Sequence, residues 1–525
     1  MPCTRARVPQ LMMIAAAIAA ATIIAGCVSP GRPGPSLGGG AITAAELRRV
    51  LYDFAADSFR GRAPGTPDAR RAARFLAERL TKLGLEPAGD SGFFQRVPLA
   101  RQSLDASTFE LSTPDGTTRI PVGEALVPIV SLGAALPAPR TEAEGDVVFA
   151  GYGAPIPSLE RNDLARVDVA GKVVVVVNDA PDRADSAERA RLSSREAITM
   201  RLRAVLVRRP AAVIVLLTGA AADSLRSLLP GLLHAIVARR LTPDATADSL
   251  RPPMILLGVL RPGSPLLPAG WPEDDRPQQL AGRRFLGHVV VTAEPLTAYN
   301  VAGIVRGSDP ALARSYVAYG AHLDHIGIQP PVGGDSIANG ADDDGSGSVA
   351  LLALARRFIT MPRRPARSIL LVWHTGEEEG MLGSAWFASH PTVPIDSIVA
   401  ELNADMIGRN APDSLYVVGP RASPRGRSRV LGEIMDSVNA TLPRPFVFDR
   451  GWDSASDPSR AYDRSDQASY ARRGIPVLFV TSGLHPDYHA VTDEAPRIDY
   501  DKLARVTELL YRTGVAAAER RTHPR

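Results

Sequence analysis

The 525-residue chain is predicted to fold as an α/β protein: a mainly parallel, mixed sheet with helices on both faces, carrying an inserted, mostly β domain. Three observations predict this. From Asn300 onward, near-continuous apolar runs alternate with helical segments, the pattern of a parallel sheet covered on both sides. Between about Glu142 and Pro295 the texture changes to strand-like runs, which marks an insertion. The length also exceeds what a single core usually serves.

Taken in order, the first segment carries Arg5 and Arg7 ahead of an apolar stretch from Leu11 to Ile24, ending in Ala25-Gly26-Cys27. This pattern predicts a signal peptide over 1–26. Small residues before a Cys resemble the lipobox of bacterial lipoproteins, which implies acylation of Cys27 and attachment to a membrane. The expected location is the cell envelope, facing outside the cytoplasm. Cys3 and Cys27 are the only cysteines, so the mature domain has no disulfide. A Gly, Pro and Ser-rich tether is expected over 27–41.

The N-terminal part of the main domain is placed at 42–141. Thr43 followed by Glu46 signals a capped helix, with Ile42 and Leu47 at staple positions. A second helix is bounded by Thr66-Pro67 and Gly84, with Ala73, Leu76, Leu80 and Leu83 as its apolar stripe. The insertion, 142–295, holds strand-like runs at Val147–Ala150, Val173–Val177, Ala212–Leu217 and His288–Thr292. The remainder, 296–525, predicts strands at Tyr316–Ala321, Ile369–Trp373, Ile398–Leu402 and Pro476–Val480, and a helix at Ser346–Ile359.

Composition places the chain among globular proteins, with 45% hydrophobic and 22% charged residues. A net charge of +4, without a basic run interleaved with aromatics, argues against nucleic acid as a partner.

In sheets of this kind, sites lie beyond the carboxyl ends of the strands. Four acidic or histidine clusters fall there: His322 with Asp324, the triplet Asp342-Asp343-Asp344 before Gly345, the triplet Glu377-Glu378-Glu379, and Asp405, with His489 following the last strand. Each triplet alone would suit a solvated cap or loop. Their recurrence at successive strand ends points instead to metal. Two divalent ions about 3.5 to 4 Å apart need a bridging carboxylate, and each needs terminal His or carboxylate ligands.

These motifs resemble the M28 family of zinc peptidases. The resemblance rests on Ala321-His322-Leu323-Asp324, Asp342-Asp343-Asp344-Gly345-Ser346-Gly347, Glu377-Glu378-Glu379-Gly380-Met381-Leu382-Gly383-Ser384, Asn403-Ala404-Asp405-Met406-Ile407-Gly408 and Tyr488-His489. Arg60-Gly61-Arg62-Ala63-Pro64-Gly65-Thr66 and Leu83-Gly84-Leu85-Glu86-Pro87 match its N-terminal signature more weakly. The resemblance implies two Zn2+ per chain held by His322, Asp343, Glu378, Asp405 and His489, with Asp343 as the bridge. It implies Glu377 as general base and hydroxide held between the metals as nucleophile, removing residues from peptide or protein N-termini.

Asp324 is expected to hold the His322 imidazole in its ligating tautomer. Tyr488 is a candidate donor to the developing oxyanion. His325, His374 and His485 match no ligand position and are read as loop or supporting residues. Gln467 stands where the family usually has His, which leaves its role open. Within the insertion, Gly151-Tyr152-Gly153 and Val169-Ala170-Gly171-Lys172 resemble a protease-associated (PA) domain. The alternatives are a one-zinc glutaminyl cyclase-like acyltransferase, a related carboxypeptidase or dipeptidase, and a non-catalytic binding module.

Overall fold

The computed structural model describes residues 40–123, 125–129, 141–238 and 253–524. The expected signal peptide, Cys27 and nearly all of the tether lie outside the described residues.

Both N-terminal helices form where their caps place them. Helix α1 (Ala44–Phe54) starts after Thr43, whose hydroxyl accepts from the Glu46 N–H at 3.2 Å. It buries Leu47, Leu51 and Phe54, a single stripe at helical spacing. Helix α2 (Pro67–Leu83) starts after Thr66 and ends at Gly84, which turns left-handed and donates back to the Leu80 and Thr81 carbonyls.

The central sheet is built on β1 (Phe94–Ser103), β2 (Thr292–Val305), β3 (Tyr316–His322), β4 (Ser368–His374), β5 (Ile398–Ala404) and β6 (Val477–Thr481). Their order is β1-β2-β4-β3-β5-β6. Strands β4, β3, β5 and β6 run parallel, whereas β2 is antiparallel to both of its neighbours, β1 and β4. Short strands extend both edges, His234–Ala238 beside β1 and Ser414–Val418 beside β6. Every residue of β3 to β6 is buried, which explains their near-continuous apolar runs. The chain steps from β3 to β4 on one side and crosses back to β5 on the other. The following loops therefore diverge at the carboxyl end of β3, opening a crevice there.

Alternation along β3 separates two cores. Tyr316 and Ala318 pack with Leu370, Val372, Phe387 and Tyr470 on one face. Tyr319 faces the other side, where its hydroxyl donates to the Leu510 carbonyl at 2.9 Å. That side is covered by α3 (Gly347–Ile359) and α4 (Tyr500–Glu519). A Cβ at Gly514 would collide with the Tyr319 hydroxyl, so the glycine sets how closely α4 approaches the sheet.

The insertion differs from expectation in two ways. Its sheet already includes Thr108–Thr113, antiparallel to Gln278–His288, and Gly116–Ile120, antiparallel to Thr108–Thr113, so it starts near residue 104 rather than 142. The chain re-enters the central sheet at Thr292, so the expected run His288–Thr292 is a crossing between two strands. Second, the domain carries helices beside its larger share of strand. Glu142–Phe149, Val173–Asn178, Ala212–Leu217 and Met254–Val259 run parallel, and helices Ser186–Leu192, Arg195–Leu206 and Gly219–Leu233 accompany them. The reason lies in the valine run: Val173, Val175 and Val177 enter one core while Val174 and Val176 enter another. A strand apolar on both faces needs cover on both.

Among the described residues, no helix is long and apolar enough to cross a membrane.

Candidate metal centre

The candidate ligands converge from four strand ends and the entry to α3. His322 closes β3, and Asp405 directly follows β5. Glu377 and Glu378 lie in the loop after β4, and His489 follows β6 with a left-handed φ of 57°. Asp342, Asp343 and Asp344 occupy the turn Ala341–Ser346 that feeds α3. A Cβ at Gly347 would strike the Ala404 carbonyl, so this glycine lets the turn rest on the end of β5.

Two half-sets result, joined by one carboxylate. His322 Nε2 lies 3.2 Å from Asp343 Oδ1 and 3.5 Å from Asp405 Oδ1. His489 Nε2 lies 3.3 Å from Asp343 Oδ2 and 2.9 Å from Glu378 Oε2. Asp343 thus presents one oxygen to each half-set, the geometry a bridging ligand requires. Glu377 Oε2 borders the first half-set at 3.9 Å from His322 Nε2.

A second grouping, His322 with Asp344 and Asp405, is also close enough to hold an ion. We favour Asp343 because the oxygens of Asp344 are already engaged. Asp344 accepts from the backbone N–H groups of His322 at 3.0 Å, Gly347 at 2.8 Å and Met406 at 3.4 Å. It clasps the three segments that converge here.

The electrostatics suit a cation. Burial, then Asp405, Asp466 and Glu378, push Glu377 well above the usual carboxylate range. Burial also raises Asp405. For Asp343 burial acts upward too, but the facing imidazoles of His322 and His489 outweigh it and hold the carboxyl well below its ordinary value. Such a set of acids is not fully ionised together without a compensating charge. His322 Nε2 and Asp405 Oδ1 are buried without a hydrogen-bond partner, and two imidazoles with three carboxylates form a donor set suited to zinc.

Residues 300–513 match the family model described as Peptidase family M28. Every candidate ligand, from His322 to His489, lies within that matched segment. Leucine aminopeptidase 1 of Arthroderma otae is 32% identical over 213 residues, covering 38% of this chain and 54% of that protein. A probable leucine aminopeptidase 1 of Trichophyton verrucosum is 30% identical over 239 residues, 43% of this chain and 60% of that protein. The chain therefore spans little more than half the length of these curated relatives. The solved aminopeptidase from Aneurinibacillus sp. strain AM-1 superposes with a TM-score of 0.53 at 17% identity, covering 91% of this chain and 94% of that one. The likeness in fold to that aminopeptidase thus extends across the insertion.

The candidate centre is braced by residues outside the expected ligand set. His325 Nδ1 lies 2.6 Å from Glu378 Oε1, fixing the carboxylate from the side away from His489. Asp493 accepts from the N–H groups of Asp342 and Asp343, each at 3.0 Å. Ser465 donates to Asp405 Oδ2 at 2.8 Å. Arg62, wholly buried, donates to the carbonyls of Leu323 at 2.9 Å, Asn339 at 2.7 Å and Gly340 at 2.9 Å, bracing the loops on either side of the site. Of these, His325 was expected as a loop or supporting residue, and Arg62 lies in the motif Arg60-Gly61-Arg62.

One expectation is corrected. His322 Nδ1 faces the backbone carbonyl of Asp324 at 3.1 Å, so the main chain, not the carboxylate, orients the ring. The Asp324 carboxylate instead accepts from the Glu377 N–H at 3.4 Å. Burial, foremost, and then the Glu378 charge push it up to about 7. Its side chain bears on the loop of Glu377 because the tight turn after β3 brings its own carbonyl to the imidazole first.

His374 and His485 are buried supports: His374 Nε2 lies 3.2 Å from the Tyr470 hydroxyl, and His485 Nε2 lies 3.3 Å from Asp342 Oδ2. Gln467 accepts from Asn403 Nδ2 at 3.0 Å, tying its loop to the end of β5. Tyr488 stacks on His489, ring centroids 3.9 Å apart, and lines a cleft of about 130 Å³ that reaches Asp343, Glu377, Glu378 and Asp405.

Proposed function

We propose that the protein is an exported two-zinc aminopeptidase. The observation that carries this reading is the division of the Asp343 oxygens between the His322–Asp405 and His489–Glu378 half-sets, with Glu377 beside them. When bound, the zinc pair supplies Lewis acidity and acidifies water. His322, Asp405, Glu378 and His489 would hold it, and the shared Asp343 carboxylate would add the negative charge that two cations need. Glu377, free of that duty, takes the proton of the attacking water and passes it to the leaving amine. Tyr488, on the cleft wall, is placed to donate to the carbonyl oxygen as charge develops there. The names of the fungal relatives support removal of N-terminal residues.

Incubating the protein with a defined peptide, with and without a chelator, tests this reading by mass spectrometry. Stepwise loss from the N-terminus, abolished by the chelator and restored by zinc, is the expected result. Loss from the C-terminus, or cyclisation of N-terminal glutamine without cleavage, would replace it with the carboxypeptidase or cyclase alternative.

The same proposal includes acylation of Cys27, supported by the small residues before it, and a PA-like role for the insertion in shaping access to the cleft. Incorporation of labelled palmitate into the wild type but not into Cys27→Ser, with release of the variant from membranes, is expected. Equal labelling of both would remove the lipid anchor from the proposal.

A further inference from the structure

The cleft above the centre has one wall of unusual chemistry. Its floor is acidic, and Met406, Trp452, Phe479, Leu484 and Tyr488 give it an apolar side. Trp452 is held rigid by stacking on Tyr416, ring centroids 4.2 Å apart and planes 20° from parallel. Leu484 and Tyr488 remain 55% and 39% exposed at the rim, more apolar surface than a solvated loop requires. Arg464 completes the lining.

Among the described residues, Arg464 forms no ion pair and no side-chain hydrogen bond, whereas its neighbours are committed. Arg460 pairs with Asp463, Arg450 with Asp436 and Asp453, and Arg409 with Asp487. Asp457 acts on Arg464 electrostatically, but its oxygens already accept from Ser459 and the Ala461 N–H. The backbone at Arg464 is fixed relative to the centre: its N–H donates to the Ala461 carbonyl, and the next residue, Ser465, is bonded to Asp405. An uncommitted guanidinium on a backbone anchored beside the ligands, next to an apolar wall, offers a forked donor to a planar anion.

We propose that Arg464 selects substrates that present a carboxylate in this cleft, with their apolar portion along the Trp452 and Leu484 side. This rests on the peptidase reading. The carboxylate has two sources, an acidic N-terminal side chain or the free C-terminus of a short peptide.

The test compares zinc-loaded wild type, Arg464→Met and Arg464→Lys on four substrates: leucine and glutamate p-nitroanilides, and the dipeptide Leu-Gly as free acid and as amide. In Arg464→Met, kcat/KM is expected to fall about ten- to a hundredfold on whichever carboxylate-bearing substrate is read, chiefly through KM. The neutral partner should change less than about threefold, and Arg464→Lys should recover part of the loss. The glutamate anilide identifies the side chain as the source, and the Leu-Gly pair identifies the C-terminus. Calorimetric titration of a reduced-bond Leu-Gly analogue, acid against amide, reads the same preference in binding alone. Equal changes on all substrates, or none, would overturn the inference while leaving the peptidase reading intact. Failure of the wild type to cleave any of them would remove both.

Discussion

Replacing Glu377 with glutamine is expected to lower kcat by about two to four orders of magnitude while zinc content and fold stay at wild-type levels. The amide keeps the size of the carboxylate but cannot take a proton. It also leaves the two half-sets intact, because Glu377 stands beside them and the ligands are His322, Asp343, Glu378, Asp405 and His489 in our reading. Steady-state rates on leucine p-nitroanilide, paired with metal analysis of the same preparation, make the measurement. Loss of zinc together with activity would move Glu377 into the ligand set, and a loss below about tenfold would end its role as base.

Asp343→Asn is expected to act earlier, on assembly of the centre. An amide cannot carry negative charge to both half-sets, and two cations without a shared anion repel one another. The variant should retain at most one zinc per chain and show activity at background. In the wild type, zinc should raise the melting temperature with concentration, since a ligand that binds the folded state stabilises it by about 4 kcal/mol at a thousandfold excess over its Kd. That rise should shrink sharply in Asp343→Asn. A variant that still binds two ions with an unchanged melting curve would show that another residue bridges, and Asp344 would be the next to test.

Much of this was legible along the chain because it follows from local rules. The buried strands read as apolar runs within a residue or two of β3 to β6, and Thr43, Thr66 and Gly84 bound their helices as capping requires. The clusters at successive strand ends pointed to the crevice. What escaped depends on residues far apart in sequence. His325 finds Glu378 across 53 positions, and Asp493 reaches the Asp342–Asp343 backbone across about 150. No periodicity encodes either. Asp324 was misplaced for a subtler reason: spacing places a residue near an imidazole but does not tell whether its carboxylate or its carbonyl arrives first. The insertion boundary, by contrast, had a readable sign. Thr113-Pro114-Asp115-Gly116 is a turn sequence, and it joins the two strands that the expected boundary left outside.

Arg62 sets how small a working version of this protein can be. It precedes the insertion, yet its guanidinium binds carbonyls 261 to 278 positions later, around the loops of His322 and Asp343. The segment recognised by family resemblance begins at residue 300 and so omits the cation that braces its own ligand loops. A gene fragment trimmed to that segment would encode every metal ligand and still leave the carbonyls of Leu323 and Asn339 without the donor they now have. A fragment that runs from the first helix to the last keeps this brace in place.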